Sequence, residues 1–500
     1  MTLYQLATSC LITGALTLST SISASDLGAG LANGADAVLL ENRTGNYKHW
    51  NGIGKIFWND DPACTASLLD TRDANNLATG PAYLLTAAHC VPGVIRRPLA
   101  PDEKATVKFN YFTDTSASYR SYGIKDTLWK DFQHTDLAIM ELDATLATLL
   151  KDGISPLRLA SDWAQDATDV LIVGAPGRLA QAGLRLAACT QEATAAALVE
   201  GDRVYPSALK NRCQDIRPGS SGSPVLDRKS GEILSVVSTS TYGATADEQC
   251  FDNAPCEVKN GNITWSPDTH YSFAADQVRS CFNEGVFTHT SSACQFDPAF
   301  KVTELEYWPT QYVAMPKDPG SPDPALNAQF SLSTPLYRFK TVRDAMDCRS
   351  PRNYSGTLDA SKAVLDTPLS RDAGMHYLCV IGVESADTRP TATLMKSAWI
   401  TPVQLVERTP VRMPEPTLTL GADWNYSVTW RYLIPTHFGT LYYSGPAADT
   451  DCSKVAIADF VKTFDDVTFN AEQLPLMLCS RNEDLGGRYS KVRSDLLALP

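Results

Sequence analysis

Three short strings in this 500-residue chain hold residues that together suit nucleophilic acyl transfer. In Leu84-Leu-Thr-Ala-Ala-His89-Cys90, an apolar run reads as a buried strand that delivers a histidine into a tight small-residue turn, pinned at once by a cysteine. A neutral imidazole held there can accept a hydroxyl proton. In Thr135-Asp136-Leu-Ala-Ile-Met-Glu-Leu142 an acid opens an apolar strand. Burying a carboxylate is costly unless something needs it, and an imidazole that must keep one tautomer is such a partner. Nearby Asp131 and His134 fall on the polar side of the strand start. The third string is Cys213-Gln-Asp-Ile-Arg-Pro-Gly219-Ser220-Ser221-Gly222-Ser223-Pro224-Val225. Gly219 frees the backbone to turn its N–H, with that of Ser221, toward a developing oxyanion, and Gly222 leaves room for a tight turn at a nucleophile.

These strings resemble the histidine, aspartate and serine motifs of the trypsin/chymotrypsin family, and their order His, Asp, Ser fits its double β-barrel rather than subtilisin or α/β-hydrolase arrangements. The resemblance spans roughly residues 51–283. It implies that His89 is the base, that Asp136 orients it, and that Ser221, not Ser220 or Ser223, is the nucleophile. Gly219 and Ser221 would form the oxyanion hole, with no metal or organic cofactor and with protein or peptide substrates. Cys64-Thr-Ala-Ser-Leu68 resembles the family strand whose cysteine bridges to the one after the histidine, which implies a Cys64–Cys90 disulfide. Ser238 resembles the serine that flanks the triad and begins the substrate-binding strand. Asp215 lies six residues before Ser221, the spacing of the carboxylate that makes trypsin-like enzymes cleave after Arg or Lys. Animal trypsins carry an aspartate just before the nucleophile, where it pairs with a new N-terminal amine after zymogen cleavage; here that position is Ser220. The serine string looks more like bacterial exported relatives such as glutamyl endopeptidases, but Val237 stands where those carry an acid-reading histidine, which disfavours glutamate specificity. Two alternatives stay open: an inactive protease-like adhesin or surface-binding protein, and an esterase using the same triad.

The elements that must position these residues read as β. Gly52–Phe57, Ala82–Thr86, Val170–Val173 and Ile233–Val237 are short strand-like runs with turn punctuation, while Phe273–Arg279 looks helical. The expected fold is all-β: a chymotrypsin-like double β-barrel over 51–283, then two β-sandwich modules. The modules are read from a weak repeat. Val313-Ala-Met315-Pro316 recurs as Val411-Arg-Met413-Pro414, Leu336-Tyr337 as Leu441-Tyr442, and the cysteines 348 and 379 as 452 and 479. Residues 284–304 are a linker with a disulfide loop, and the modules are expected over 305–408 and 409–500. All three chemical strings lie upstream of them, so catalysis is expected to need neither module. What the modules bind, whether surface, glycan or partner protein, is open.

Residues 1–24 look like a secretory leader with small residues before a cleavage point after Ala24, although the first basic residue is Arg43. Residues 25–50 would be an N-terminal segment or propeptide. Removing Cys10 with the leader leaves twelve of thirteen cysteines, an even number without zinc-type spacing, which fits disulfides in a secreted (extracellular or periplasmic) protein. Local pairing gives Cys189–Cys213, Cys250–Cys256 and Cys281–Cys294. A net charge of −13 without a basic run argues against nucleic-acid binding, and no later apolar run is long enough to span a membrane.

Overall fold

Short runs rich in β-branched and aromatic residues, broken by Gly, Asn and Asp turns, become strands in the computed structural model of the chain. It describes residues 26–499 except 93–103, 163–165, 178, 295–297, 308–311, 315–319, 321–322, 327, 407–409, 431–436, 464–465 and 485–487. The proposed leader lies outside the described residues. Strands Ile53–Trp58, Asp61–Leu68, Pro81–Thr86, Leu137–Thr145, Arg120–Asp131 and Ala105–Phe109 pair in that order into a closed barrel. Thr168–Gly174, Arg185–Ala193, Leu209–Asn211, His270–Ala274, Ile233–Ser240 and Pro224–Asp227 form a second ring, closed by pairing of Pro224–Asp227 with Thr168–Gly174. The fold is therefore the all-β double barrel, followed by further β-sheets.

The apolar faces explain the closure. Ile56, Ala66, Leu68, Leu84, Val107, Ala138 and Met140 fill one core, and Leu171, Val173, Leu186, Leu226, Val236 and Phe273 lie in another that runs between the barrels. Phe273 pairs with Val236 in the sheet, so the run expected to be helical is a strand to Ala274 and a short 3₁₀ turn over Asp276–Cys281. A brief apolar run does not distinguish the two, and here burial in the sheet decides. Residues 26–50 lie on the second barrel: Val38–Leu39 pairs with Arg185 and Leu186, Asp26 meets the Arg228 guanidinium at 2.8 Å, and Leu40 and Trp50 are buried.

Beyond the barrels, sheets of three (Val302–Tyr307, Ala328–Leu332, Ala363–Leu365) and five strands (Tyr312–Ala314, Trp399–Val406, Gly374–Val383, Leu336–Val342, Leu358–Asp359) are followed by sheets of three and four strands between Pro416 and Leu497. Disulfides Cys348–Cys379 and Cys452–Cys479 each tie a sheet strand to the turn that follows its paired neighbour, and the other four pairs are Cys64–Cys90, Cys189–Cys213, Cys250–Cys256 and Cys281–Cys294. With the cysteines superposed the Leu-Tyr repeat is out of step. Lys340 faces Cys379 and Tyr443 faces Cys479, so Leu336 stands four residues before the facing position and Leu441 only two. The offset is even, so relative to the cysteine the two leucines share one face of their strands and the two tyrosines the other.

Strands Ala197–Glu200, Arg203–Tyr205, Cys256–Lys259 and Asn262–Thr264 form a small sheet off the second barrel. Its Ala197, Val199, Val204 and Val258 are buried in one cluster with Tyr377, Val380, Trp399 and Val403 of the five-stranded sheet. Polar contacts follow the same seam, with Arg349 donating to Ser207 Oγ at 2.8 Å and Met375 N to Gly261 O at 3.2 Å. No described helix is long and apolar enough to cross a membrane.

Candidate active site

Residues 81–86 end their strand inside the first barrel, and the chain turns through Ala88–Cys90 to present His89 at the barrel edge. The Cys64–Cys90 disulfide fixes this turn, and Cys90 Sγ lies 3.7 Å from His89 Nε2. Among the described residues, Cys64, His89 and Cys90 are the only close cluster of metal-ligand type; both sulfurs are in the disulfide, so no thiolate is on offer. Asp136 opens the strand Leu137–Thr145 and is only 1% exposed.

The Asp136 carboxylate collects three hydrogen bonds. Oδ2 takes the His89 ring at Nδ1 (2.6 Å) and the Ser238 hydroxyl (2.6 Å), and Oδ1 accepts the backbone N–H of His89 (2.9 Å). Burial pushes this carboxyl up, but the charge of His89 and the three donors outweigh it and hold the pKa below the usual carboxylate range. For His89, burial alone lowers the pKa, whereas the charge of Asp136 and its hydrogen bond raise it further than burial depresses it; Glu200 adds to the rise. The net shift is upward.

In an NMR titration the His89 ring should titrate above the ordinary histidine value of about 6.5. Asp136→Asn removes the raising charge and leaves burial, so the same ring should titrate below the wild-type value. An unchanged value in that variant would contradict the assigned cause.

The serine loop is shaped by its glycines. A Cβ on Gly222, at φ +82°, would lie 2.0 Å from Thr65 O, and one on Gly219, at φ +92°, 2.6 Å from Gly177 N. Of the three serines, Ser220 and Ser223 are buried at 1% and 0% exposure, and only Ser221 reaches the surface. Ser221 Oγ donates to the carbonyl of Ser238 at 3.3 Å rather than to His89. Ser238 thus touches Asp136 through its hydroxyl and Ser221 through its carbonyl. Nucleophile–base contacts are often loose before substrate arrives, and a hydroxyl can rotate toward the imidazole. Among the described residues, neither the Gly219 N–H nor the Ser221 N–H makes a backbone hydrogen bond.

Asp215 is differently placed from a bare pocket floor. Its Oδ1 meets Arg217 Nη2 at 2.9 Å and its Oδ2 meets Arg185 Nη1 at 3.6 Å. Asp131 and His134 pair with each other at 3.1 Å, and His134 Nε2 reaches the Ser397 carbonyl at 3.0 Å, so they join the loop before Asp136 to the segment that leads into the next sheet. Sequence reasoning missed Glu200, which is buried, accepts from Thr239 Oγ1 at 2.7 Å beside Ser238, and raises the His89 pKa. Its signal was faint: an acid closing the apolar run Ala197-Leu-Val-Glu200.

Residues 70–236 match the family model of the trypsin-like peptidase domain, a span that takes in all three strings. Over that span the chain carries a trypsin-like peptidase domain. Among solved structures it is similar to an active-form protease from M. tuberculosis, at 16% identity over 52% of this chain and 92% of that one, TM-score 0.31. It is similar also to the protease Anisep from Arthrobacter nicotinovorans (17% identity, 45% and 91% covered, TM-score 0.29) and to a Glu endopeptidase (16%, 49% and 94%, TM-score 0.30). No curated protein matches.

Proposed function

We propose that the chain is a secreted serine endopeptidase in which His89, Asp136 and Ser221 are the catalytic triad. The observation that carries this reading is the bonded set Asp136–His89 with Ser238, set beside the one accessible serine of the Gly219–Gly222 loop. His89 Nε2 takes the Ser221 proton as Oγ attacks the peptide carbonyl; the N–H groups of Gly219 and Ser221 receive the oxyanion. His89 then returns the proton to the leaving amine, and water resolves the acyl-enzyme by the same route in reverse. We read residues 26–50 as retained with the catalytic domain, because cutting them away uncovers Leu40 and Trp50, and 305–408 and 409–500 as two sandwich modules. The six disulfides support an oxidising location such as the periplasm or the extracellular space. The adhesin alternative predicts a lost triad member, and all three are present. Hydrolysis of denatured casein by wild type but not by Ser221→Ala tests the reading; equal hydrolysis by both proteins contradicts it.

On specificity, the pairing of Asp215 with Arg217 and Arg185 weakens the case for cleavage after Arg or Lys. A basic substrate side chain has to compete with two guanidinium groups already on that carboxylate. On matched peptide amides ending in Arg, Lys, Phe, Leu or Glu, rates for Arg and Phe are expected within about tenfold of each other, a spread that apolar contacts alone produce. Asp215→Ser should leave their ratio unchanged. A strong Arg preference that vanishes in Asp215→Ser restores the trypsin-like pocket.

A further inference from the structure

Lys55 is a buried lysine for which the peptidase mechanism names no role. It lies in the strand Ile53–Trp58 at 2% exposure, and among the described residues it forms no ion pair. Its Nζ instead donates to three carbonyls: Ala63 at 2.9 Å, Ala175 at 2.6 Å and Gly219 at 3.2 Å. They come from three different places. Ala63 is on the neighbouring strand of the first barrel, Ala175 follows the strand Thr168–Gly174 of the second, and Gly219 is in the loop that carries Ser221. Thr65 Oγ1 donates to the same Gly219 carbonyl at 3.1 Å and accepts from Ala175 N at 3.0 Å.

The two peptide planes around Gly219 are therefore fixed from the core side. The carbonyl before it, Pro218 O, is held by Gly177 N at 2.8 Å, which turns the Gly219 N–H the opposite way because the two groups of a trans peptide point apart. The carbonyl of Gly219 itself is held by Lys55 and Thr65. Taking an ammonium out of water into a site without a counter-charge is expensive, and burial lowers its pKa to about 8. The position preceding the nucleophile is Ser220, whose Oγ accepts from Arg217 N at 3.2 Å, so no carboxylate stands there to anchor the loop through a cation. The cation is already in the core.

We propose that Lys55 is a positioning residue: a built-in internal ammonium that ties both barrels to the Gly219 carbonyl and so aims the Gly219 N–H at the oxyanion. The proposal rests on the serine-peptidase reading for its catalytic consequence. It also implies that the loop is set in the intact chain, without a cleavage to create a new amine.

The test compares wild type, Lys55→Met and Lys55→Gln for kcat and KM on a peptide amide, and for amide hydrogen exchange in residues 213–223. Methionine keeps the length and removes the donors, so kcat should fall about 100-fold, the scale of losing one oxyanion donor, with KM held within about threefold. Exchange at 213–223 should rise while that of Arg120–Asp131 is unchanged. Glutamine, which still donates, should lie between. A Lys55→Met protein with kcat within about threefold of wild type, or one that loses activity only with faster exchange throughout both barrels, overturns the proposal. Should the wild type prove inert on peptides, the peptidase reading fails, and the exchange at 213–223 by itself still decides whether Lys55 holds the loop.

Discussion

Ser221→Ala is expected to lower kcat/KM on peptide amides by about four to six orders of magnitude, with little change in KM, because the group lost forms its bond only on the way to the transition state. His89→Ala should cost a similar factor. The double variant should be little worse than either single one, since a base without its nucleophile has nothing to activate. Both variants should fold: Ser221 is partly exposed and makes one 3.3 Å hydrogen bond, and His89 keeps a third of its side chain in solvent. Fully additive losses would mean that the two residues act in separate steps and not as one unit. Residual hydrolysis in the Ser221 variant comparable to wild type would point to a different nucleophile, and neither Ser220 nor Ser223 is accessible to serve.

The second large effect lies outside the catalytic strings. A chain ending at residue 304 is expected to be markedly less stable than the full protein and to lose peptidase activity with it. The reason is the shared core: Val199, Val204 and Val258, each at most 1% exposed, pack with residues of the five-stranded sheet that the truncation removes. Fully burying a valine is worth about 1.5–3 kcal/mol, so uncovering these three by half removes about 2–4.5 kcal/mol from a domain stability of only about 5–15. The loss also reaches the site. His134, two residues from Asp136, surrenders its bond to the Ser397 carbonyl, and the strand bearing Glu200 loses one of its two faces. Thermal unfolding followed with ester hydrolysis checks this. A truncated protein with wild-type melting temperature and esterase activity would show that the seam is incidental.

This expectation is the opposite of what the order of the strings along the chain suggests. His89, Asp136 and Ser221 are legible because each sits in a short local pattern, a strand end or a glycine turn, whose geometry is set within a few residues. The β-character of the barrels and the local disulfides are legible for the same reason. The seam is not, because Val199 and Val403 are remote in sequence and each belongs to a run that would look equally at home in the core of its own sheet. Phe273–Arg279 misleads in a related way: its helical spacing is overridden by the pairing of Phe273 with Val236. Asp215 has the spacing of a substrate reader, yet what its carboxylate touches depends on Arg185, thirty positions earlier on a neighbouring strand. Lys55 gives no signal at all, since its role comes from three carbonyls that only the closed barrels bring together.

In the proposed mechanism one hydroxyl, that of Ser221, is activated by His89. A fluorophosphonate probe reacts covalently with an activated serine and spares ordinary ones. Incubated with the full-length protein and mapped by mass spectrometry after reduction and tryptic digestion, it should add one label per chain, on Ser221 in the peptide Cys213–Arg228. The label should be absent from Ser221→Ala and formed far more slowly in His89→Ala. Labelling of another serine, or equal labelling of Ser221 with and without His89, would contradict the account.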